Sequence, residues 1–310
     1  MWACVKKPWN LLKKSPMNDT LESLRHKIEG AHKLESVVRT MKALSAANIS
    51  QYERAVMALE NYYRTVQLGL LACFRQEDGL PVPLQRQKKP EGIVAIVFGA
   101  GQGLVGPFND GIVNFTAAAV RKLPAPRAVW AVGESIHPRL EDAGLSPAEL
   151  FTVPNSVHAI TPLVGKILGR IEQTLEGRPG AQFYLFHNRP GNGAAYGPES
   201  RAFIPLDEMW RQEFTSLEWP SKNVPQPMGG LAPSLTALIR EYLFVSLFKA
   251  CAESLASENA SRLAAMQRAE KNIQELSQDL NLAFHRLRQE SIDEELFDLI
   301  AGAEALEGAT

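Results

Sequence analysis

The chain has 310 residues, 45% of them hydrophobic and 22% charged, with a formal net charge of -1. These values exclude a disordered or collagen-like chain and allow one large domain or two ordinary ones. A near-zero charge gives no bulk argument for binding nucleic acid or acidic substrates.

The 20 prolines are distributed unevenly: Pro8 and Pro16 lie in a short leader, and the other eighteen fall between Pro81 and Pro233. Proline costs about 3 kcal/mol in a helix interior. The proline-free stretches Met17–Leu80 and Ser234–Thr310 therefore read as long helical arms around a compact middle. The resulting division is a leader over 1–19, an N-terminal helix over 20–78, an α/β domain over 79–230 and a C-terminal helix over 231–310. Cys4, Cys73 and Cys251 form no CxxC pair and make a poor disulfide framework, which favours a reducing compartment. No run reaches the roughly 18 consecutive apolar residues of a membrane span.

The leader carries Lys6, Lys7, Lys13 and Lys14 without an apolar core of secretory length. It reads as disordered rather than as a basic membrane tag, with Met17 as an alternative start. In the first arm, Leu24, Ile28, Ala31, Leu34, Val38, Met41, Leu44, Asn48, Tyr52, Val56, Leu59, Tyr63, Val66 and Leu70 recur in steps of three or four. That is a helical stripe. Asp19 or Thr20 is placed to cap it, and Gly30 and Gly69 are its interior glycines.

In the middle, Glu91–Phe98, Arg127–Gly133, Leu150–Val153, Ala181–His187 and Arg201–Leu206 suit strands, the last at an edge because of Pro205. Phe108–Leu123 and Ala159–Leu175 suit helices. This alternation predicts a Rossmann-like, mainly parallel sheet with helices on its faces. Glu208–Gly230 reads as a connector. After the first strand, Gly101, Gly103 and Gly106 form a GxGxxG, the pattern that lets backbone approach a pyrophosphate. Pro107 follows at once, and Glu134 lies late for the ribose-binding acid. A dinucleotide-dependent enzyme using these glycines is kept as an alternative to a purely structural turn. Gly133-Glu-Ser135-Ile-His137 lacks the closing glycine of a nucleophile elbow. Histidines 26, 32, 137, 158, 187 and 285 show no ligand spacing, and no phosphate-cradle GxxxxGK[ST] occurs. No cofactor or metal is expected.

The last arm repeats the helical stripe from Leu235 through Tyr242, Phe248, Leu255, Asn259, Met266, Ile273, Leu280 and Leu287 to Leu299, with Pro233 near its start and Gly302 as a natural end. The arms differ in charge, with eight Lys/Arg against five Asp/Glu over Thr20–Arg75 and seven against thirteen from Ser234 onward. Helices of about 55 and 65 residues would reach about 80 and 100 Å. Elements of that length need each other, and an antiparallel coiled coil is the simplest pairing. Asn48, Ala252, Asn259, Ala269 and Ala283 stand in the stripe where a zipper would carry Leu. Small seam residues allow close approach, and a buried Asn fixes register.

Four segments, in order, resemble one family, the gamma subunits of F-type rotary ATP synthases. They are LESLRHKIEGAHKLESVVRTMKALSAANIS (Leu21–Ser50), GQGLVGPFN (Gly101–Asn109), SLASENASRLAAM (Ser254–Met266) and LRQESIDEELFDLIAG (Leu287–Gly302). The second is similar to the family's D-R-G-L-C-G-G-x-N, the third to S-x-x-S-E-x-x-A-R-M and the fourth to A-R-Q-x-x-I-T-x-E-L-x-E-I-v-x-G. The resemblance implies a non-catalytic central stalk. Its helix pair would turn inside a ring of alpha and beta subunits, with epsilon and the membrane c-ring as further partners and no nucleic acid. The implied location is the cytoplasmic face of a bacterial inner membrane. The implied rotor–stator contacts are Met41 and Lys42, Arg262, and Arg288 with Gln289. Asp293 replaces a family Thr, Gly101-Gln102 replaces Asp-Arg, and Val105 replaces a cysteine. Without a dithiol insert, thiol regulation is not expected. These departures resemble the divergent, sodium-translocating branch. A coiled-coil scaffold unrelated to rotation is the remaining alternative.

Overall fold

The computed structural model describes residues 20–76, 91–123, 127–191, 196–206, 208–223, 225 and 229–307. The leader with Cys4, Pro8 and Pro16, and residues 77–90, 124–126, 192–195, 207, 224, 226–228 and 308–310, lie outside the described residues. The chain divides into two compact units, one of residues up to Met41 together with Met266 onward, the other Lys42–Ala265.

The larger unit is built on a five-stranded sheet of order β3-β2-β1-β4-β5. Its elements are β1 (Gly92–Phe98), α2 (Phe108–Lys122), β2 (Arg127–Val132), α3 (His137–Asp142), β3 (Pro147–Phe151), α4 (Ile160–Gly177), β4 (Ala181–Pro190), β5 (Tyr196–Ile204) and α5 (Glu208–Thr215). Helices α1 (Leu21–Arg75) and α6 (Leu231–Glu307) are the two arms. Strand β1 is central, pairing parallel with β2 and β4, and every one of its residues is buried. A strand covered on both faces has no need of polar alternation. Period two decides which side chain meets which layer. Val94, Ile96 and Phe98, with Trp130, Phe183 and Leu185, pack against Leu163, Val164 and Ile167 of α4 and Leu247, Cys251 and Leu255 of α6. Ala95, Val97, Ala131 and Phe186 pack against Ile112 and Val113 of α2 and Leu140 of α3.

The expected strands are all present, with shifted limits. The third spans Pro147–Phe151 rather than Leu150–Val153. The fifth is longer than Arg201–Leu206 and antiparallel, closing a hairpin with β4 through Tyr196↔Pro190 and Glu199↔His187. It is an edge strand, as Pro205 implied. Helices α3 and α5 were not foreseen. In α5, Trp210 and Phe214 cover Phe74 and Tyr242, with Trp210–Phe214 centroids 4.8 Å apart.

Both arms are continuous helices. Thr20 Oγ1 accepts the Ser23 N–H at 3.2 Å, capping α1 as anticipated. Helix α6 does not stop at Gly302 but runs to Glu307. A lone glycine costs a helix about 1 kcal/mol, too little to end one without capping geometry. Within the larger unit the arms are antiparallel. Asn48 of α1 meets Asn259 of α6, Tyr62 donates to Glu241 at 2.8 Å, and Gly69 lies against Leu238, whose Cδ2 would stand 2.9 Å from an added Cβ. In the smaller unit Arg39 Nε lies 3.9 Å from Glu270, and Leu24, Ala31 and Ile273 are buried.

The single stripe assigned to α1 is corrected at two points. Leu34 and Leu44 are 57% and 61% exposed, and Ser45 is buried in place of Leu44. Each follows two consecutive three-residue steps, which together turn a side chain about 120° away from the seam. The late α6 stripe is likewise open, with Ile292, Leu296 and Leu299 exposed. One 18-residue stretch of α6 has a mean hydropathy of 1.3, enough by length and composition for a membrane span. In the same helix Val245, Leu247, Cys251 and Leu255 are buried, the last three of them in the core against the sheet described above.

Candidate functional site

The glycine-rich loop leaves β1 and turns into α2, with Leu104 at φ 61° and Gly106 at φ 58°. It is braced from both ends. Asn109, 3% exposed, accepts the Ala100 N–H on Oδ1 at 2.9 Å and donates from Nδ2 to Ser135 Oγ at 3.3 Å. Ser135, the would-be elbow nucleophile, is thereby a hydrogen-bond partner in a turn. On the other side lies the α6 segment Ser257–Arg262. Ser261 Oγ donates to the Val105 carbonyl at 2.6 Å. Glu258 accepts the Gly101 N–H, and Glu134 also faces it. Gly101 fits closely, since an added Cβ would stand 3.0 Å from Val153 Cβ and 3.3 Å from Glu134 Oε2.

This arrangement argues against a pyrophosphate site. A phosphate cradle needs free N–H groups and no nearby anion. Here the Gly101 N–H is engaged by a carboxylate, with a second carboxylate beside it. Among the described residues no group of His, Cys, Asp or Glu is arranged to hold a metal ion.

Arg262 is a part-buried member of this cluster rather than an exposed helix residue. Its side chain is 12% exposed, and its Nη2 donates to Glu258 Oε1 at 2.5 Å. Its Nη1 lies 3.5 Å from Asn259 Oδ1, the same oxygen that accepts from Asn48 Nδ2 at 3.3 Å. Asn259 Nδ2 donates in turn to the Leu255 carbonyl at 2.8 Å. Burial raises the Glu258 carboxyl above its usual range, and Arg262 together with the Gly101 N–H offsets this only in part. Burial likewise pushes the Tyr52 hydroxyl up to about 12 and raises the enclosed Cys251 thiol.

The other site residues lie elsewhere on the arms. Met41 and Lys42 are adjacent on α1 and half-buried. Arg288 and Gln289 are adjacent on α6 and exposed. Sequence reasoning missed Asn109, Glu134 and Glu258 as partners. The signal for Glu258 and Arg262 was their i,i+4 spacing, which places them on one helix face. Their burial depends on a loop distant in sequence.

The fold defines a class: a mixed α/β domain flanked in sequence by long N- and C-terminal helices that run antiparallel where they pair within the larger unit. Comparison with protein-family models matches residues 20–306 to ATP synthase. A gamma chain of ATP synthase from Rhizobium etli is 27% identical over 299 residues, covering 93% of this chain and 99% of that one. The gamma chain from Hydrogenobaculum sp. is 24% identical, with 92% and 97% covered. Among solved structures, a chain of the Euglena gracilis mitochondrial ATP synthase OSCP/F1/c-ring assembly has a TM-score of 0.59 at 18% identity, covering 93% and 95%. One from the Tetrahymena thermophila mitochondrial ATP synthase central stalk and c-ring has 0.56 at 19%, covering 75% and 99%. The chain belongs to the ATP synthase gamma chain family.

Proposed function

We propose that the chain is the central-stalk rotor of a rotary ATP synthase and has no catalytic site of its own. Ion flow turns a membrane c-ring, this subunit turns with it, and its asymmetry takes the catalytic sites of an alpha/beta ring through their conformations in sequence. The epsilon subunit is the expected second partner in the stalk. The complex sits peripherally on the cytoplasmic face of a bacterial inner membrane. The observation that carries this is the antiparallel helix pair, matched to the family along 20–306. Two paired helices bend less than one, as a torque-bearing shaft requires.

Met41, Lys42, Arg288 and Gln289 are the proposed direct contacts with the stator. A rotor meets successive stator subunits, so no contact should hold one state much more strongly than the next. An exposed Arg with five donors forms and releases hydrogen bonds at modest net cost. Arg262 has its own carboxylate partner, and its proposed part is to hold this stretch of α6 in shape beside the stator.

Reconstitution tests the reading. With alpha, beta, epsilon and c subunits, the chain should give a complex whose ATP hydrolysis drives ion pumping, while the isolated chain shows neither activity. Tight binding of NAD or ATP to the isolated chain in calorimetry would contradict it. Substituting Arg288 and Gln289 together separates a rotor from an unrelated scaffold: coupled ATP synthesis should fall while helix content is unchanged.

A further inference from the structure

Helix α6 carries a second polar stripe that the rotor reading does not use. Glu253, Ser257 and Ser261 follow one another at i, i+4 and i+8, on one face. All three are buried, at 7%, 1% and 5% exposure. Apolar residues would be expected at such positions. Each of the three bonds the α/β domain, the first two at neighbouring residues of β4 and the third at the glycine-rich loop and β5. Glu253 Oε2 takes His187 Nε2 of β4 at 2.9 Å, with Arg189 Nε at 3.7 Å and Lys249 Nζ at 4.0 Å from its other oxygen. Ser257 Oγ donates to the Asn188 carbonyl of β4 at 3.1 Å. Ser261 Oγ donates to the Val105 carbonyl at 2.6 Å and lies 2.9 Å from the Tyr196 hydroxyl of β5. Ser261 has a single proton, and Val105 accepts it, so Tyr196 must be the donor. Asn188 extends the chain by donating to the Phe108 carbonyl at the start of α2, at 3.4 Å.

We infer that Glu253, Ser257 and Ser261, with His187, Asn188 and Tyr196, form a slip-resistant joint that locks the stalk helix to the α/β domain against sliding and twisting under load. The inference rests on the rotor reading. Apolar contact is non-directional and proportional to area, so a helix can shift along an oily groove while keeping much of its contact. Hydrogen bonds weaken steeply with angle and stretch. A step along the helix would break all three at once, leave buried carbonyls without donors and take the buried Glu253 carboxylate away from His187. The polar stripe thus provides register and the surrounding apolar core provides adhesion. These six are positioning residues, as none needs to touch another subunit.

The test uses the reconstituted synthase in sealed vesicles, with ATP-driven pumping and hydrolysis followed together as the opposing ion gradient builds. Ser257→Ala with Ser261→Ala removes two hydroxyls and little volume. Each bond lost should raise the population of the loosened joint by about tenfold. Hydrolysis should continue while ions pumped per ATP fall under load. Leu247→Ala, in the apolar part of the same contact, is the control for stability alone and should keep its pumping ratio. If the serine variant fails to fold, Tyr196→Phe carries the test, since it removes one hydroxyl without a cavity. An unchanged ratio at every gradient in the folded serine or Tyr196 variant overturns the joint. So does equal slippage in Leu247→Ala. A parent chain that assembles but never supports pumping overturns the rotor reading itself, and the joint with it.

Discussion

Replacing Arg262 by Leu deprives Glu258 of its cation in a place where water cannot compensate. The pair is 12% and 6% exposed, and its Nη2–Oε1 distance is 2.5 Å. Removing one member of a buried pair costs about 3–5 kcal/mol. Two features put this case at the lower end, about 3 kcal/mol at neutral or higher pH. The Gly101 N–H still donates to the carboxylate, and Glu258 can take up a proton. Burial already holds its folded value above the unfolded one, and loss of Arg262 raises it further. A carboxyl raised in the folded state binds more protons there than in the unfolded chain, so stability falls as pH rises between the two values. In the variant that interval reaches to higher pH. Guanidinium unfolding followed by circular dichroism should show the larger loss at about pH 8 and a smaller one at about pH 5. Adding Glu258→Gln should restore much of the loss, because the stranded charge is gone. Equal losses at both pH values, or no recovery in the double variant, would refute the reasoning.

Gly133→Ala should cost about 2 kcal/mol or more in a thermal melt. The residue sits at φ +123°, and an added Cβ would stand 2.7 Å from the Ala100 carbonyl oxygen. Gly103→Ala, with nothing within 4 Å and no positive φ, should leave stability unchanged or gain up to about 1 kcal/mol. Tyr52 should ionise near pH 12 in an absorbance titration, and its contribution to stability should be lost as pH rises from about 10, where the unfolded chain ionises, toward that value. Arg288→Ala with Gln289→Ala should change unfolding free energy by less than about 0.5 kcal/mol, both side chains being exposed, while ATP synthesis by the assembled complex drops.

The sequence revealed whatever was periodic. The arms and the central strands were legible because proline placement, steps of three and four, and apolar runs such as Ile93–Phe98 each report a local rule. Helix α5 was not legible, because Trp210 and Phe214 gain their meaning only from Phe74 and Tyr242, far away in the chain. The antiparallel start of β5 was missed because Tyr196–Ser200, with Gly197 and Pro198, lacks strand-like alternation; its ladder to β4 supplies the order instead. Arg288 and Gln289 were singled out through motif resemblance alone, since an exposed Arg-Gln pair carries no packing signal. The glycine-rich loop shows the reverse. Its glycines suggested a ligand, but the group facing its backbone is Glu258, placed there by tertiary structure.

The Asn48–Asn259 hydrogen bond has a consequence for how such a chain can change length. The two amides meet across the antiparallel seam, and Asn259 Nδ2 is held in turn by the Leu255 carbonyl of its own helix. An insertion in α1 between Asn48 and Tyr62 would carry one amide away from the other unless α6 gained the same number of residues between Glu241 and Asn259. Each arm is thus a gauge for the other. Relatives with longer or shorter stalks should show paired insertions or deletions on either side of this contact, in whole helical turns, rather than changes confined to one strand of the pair.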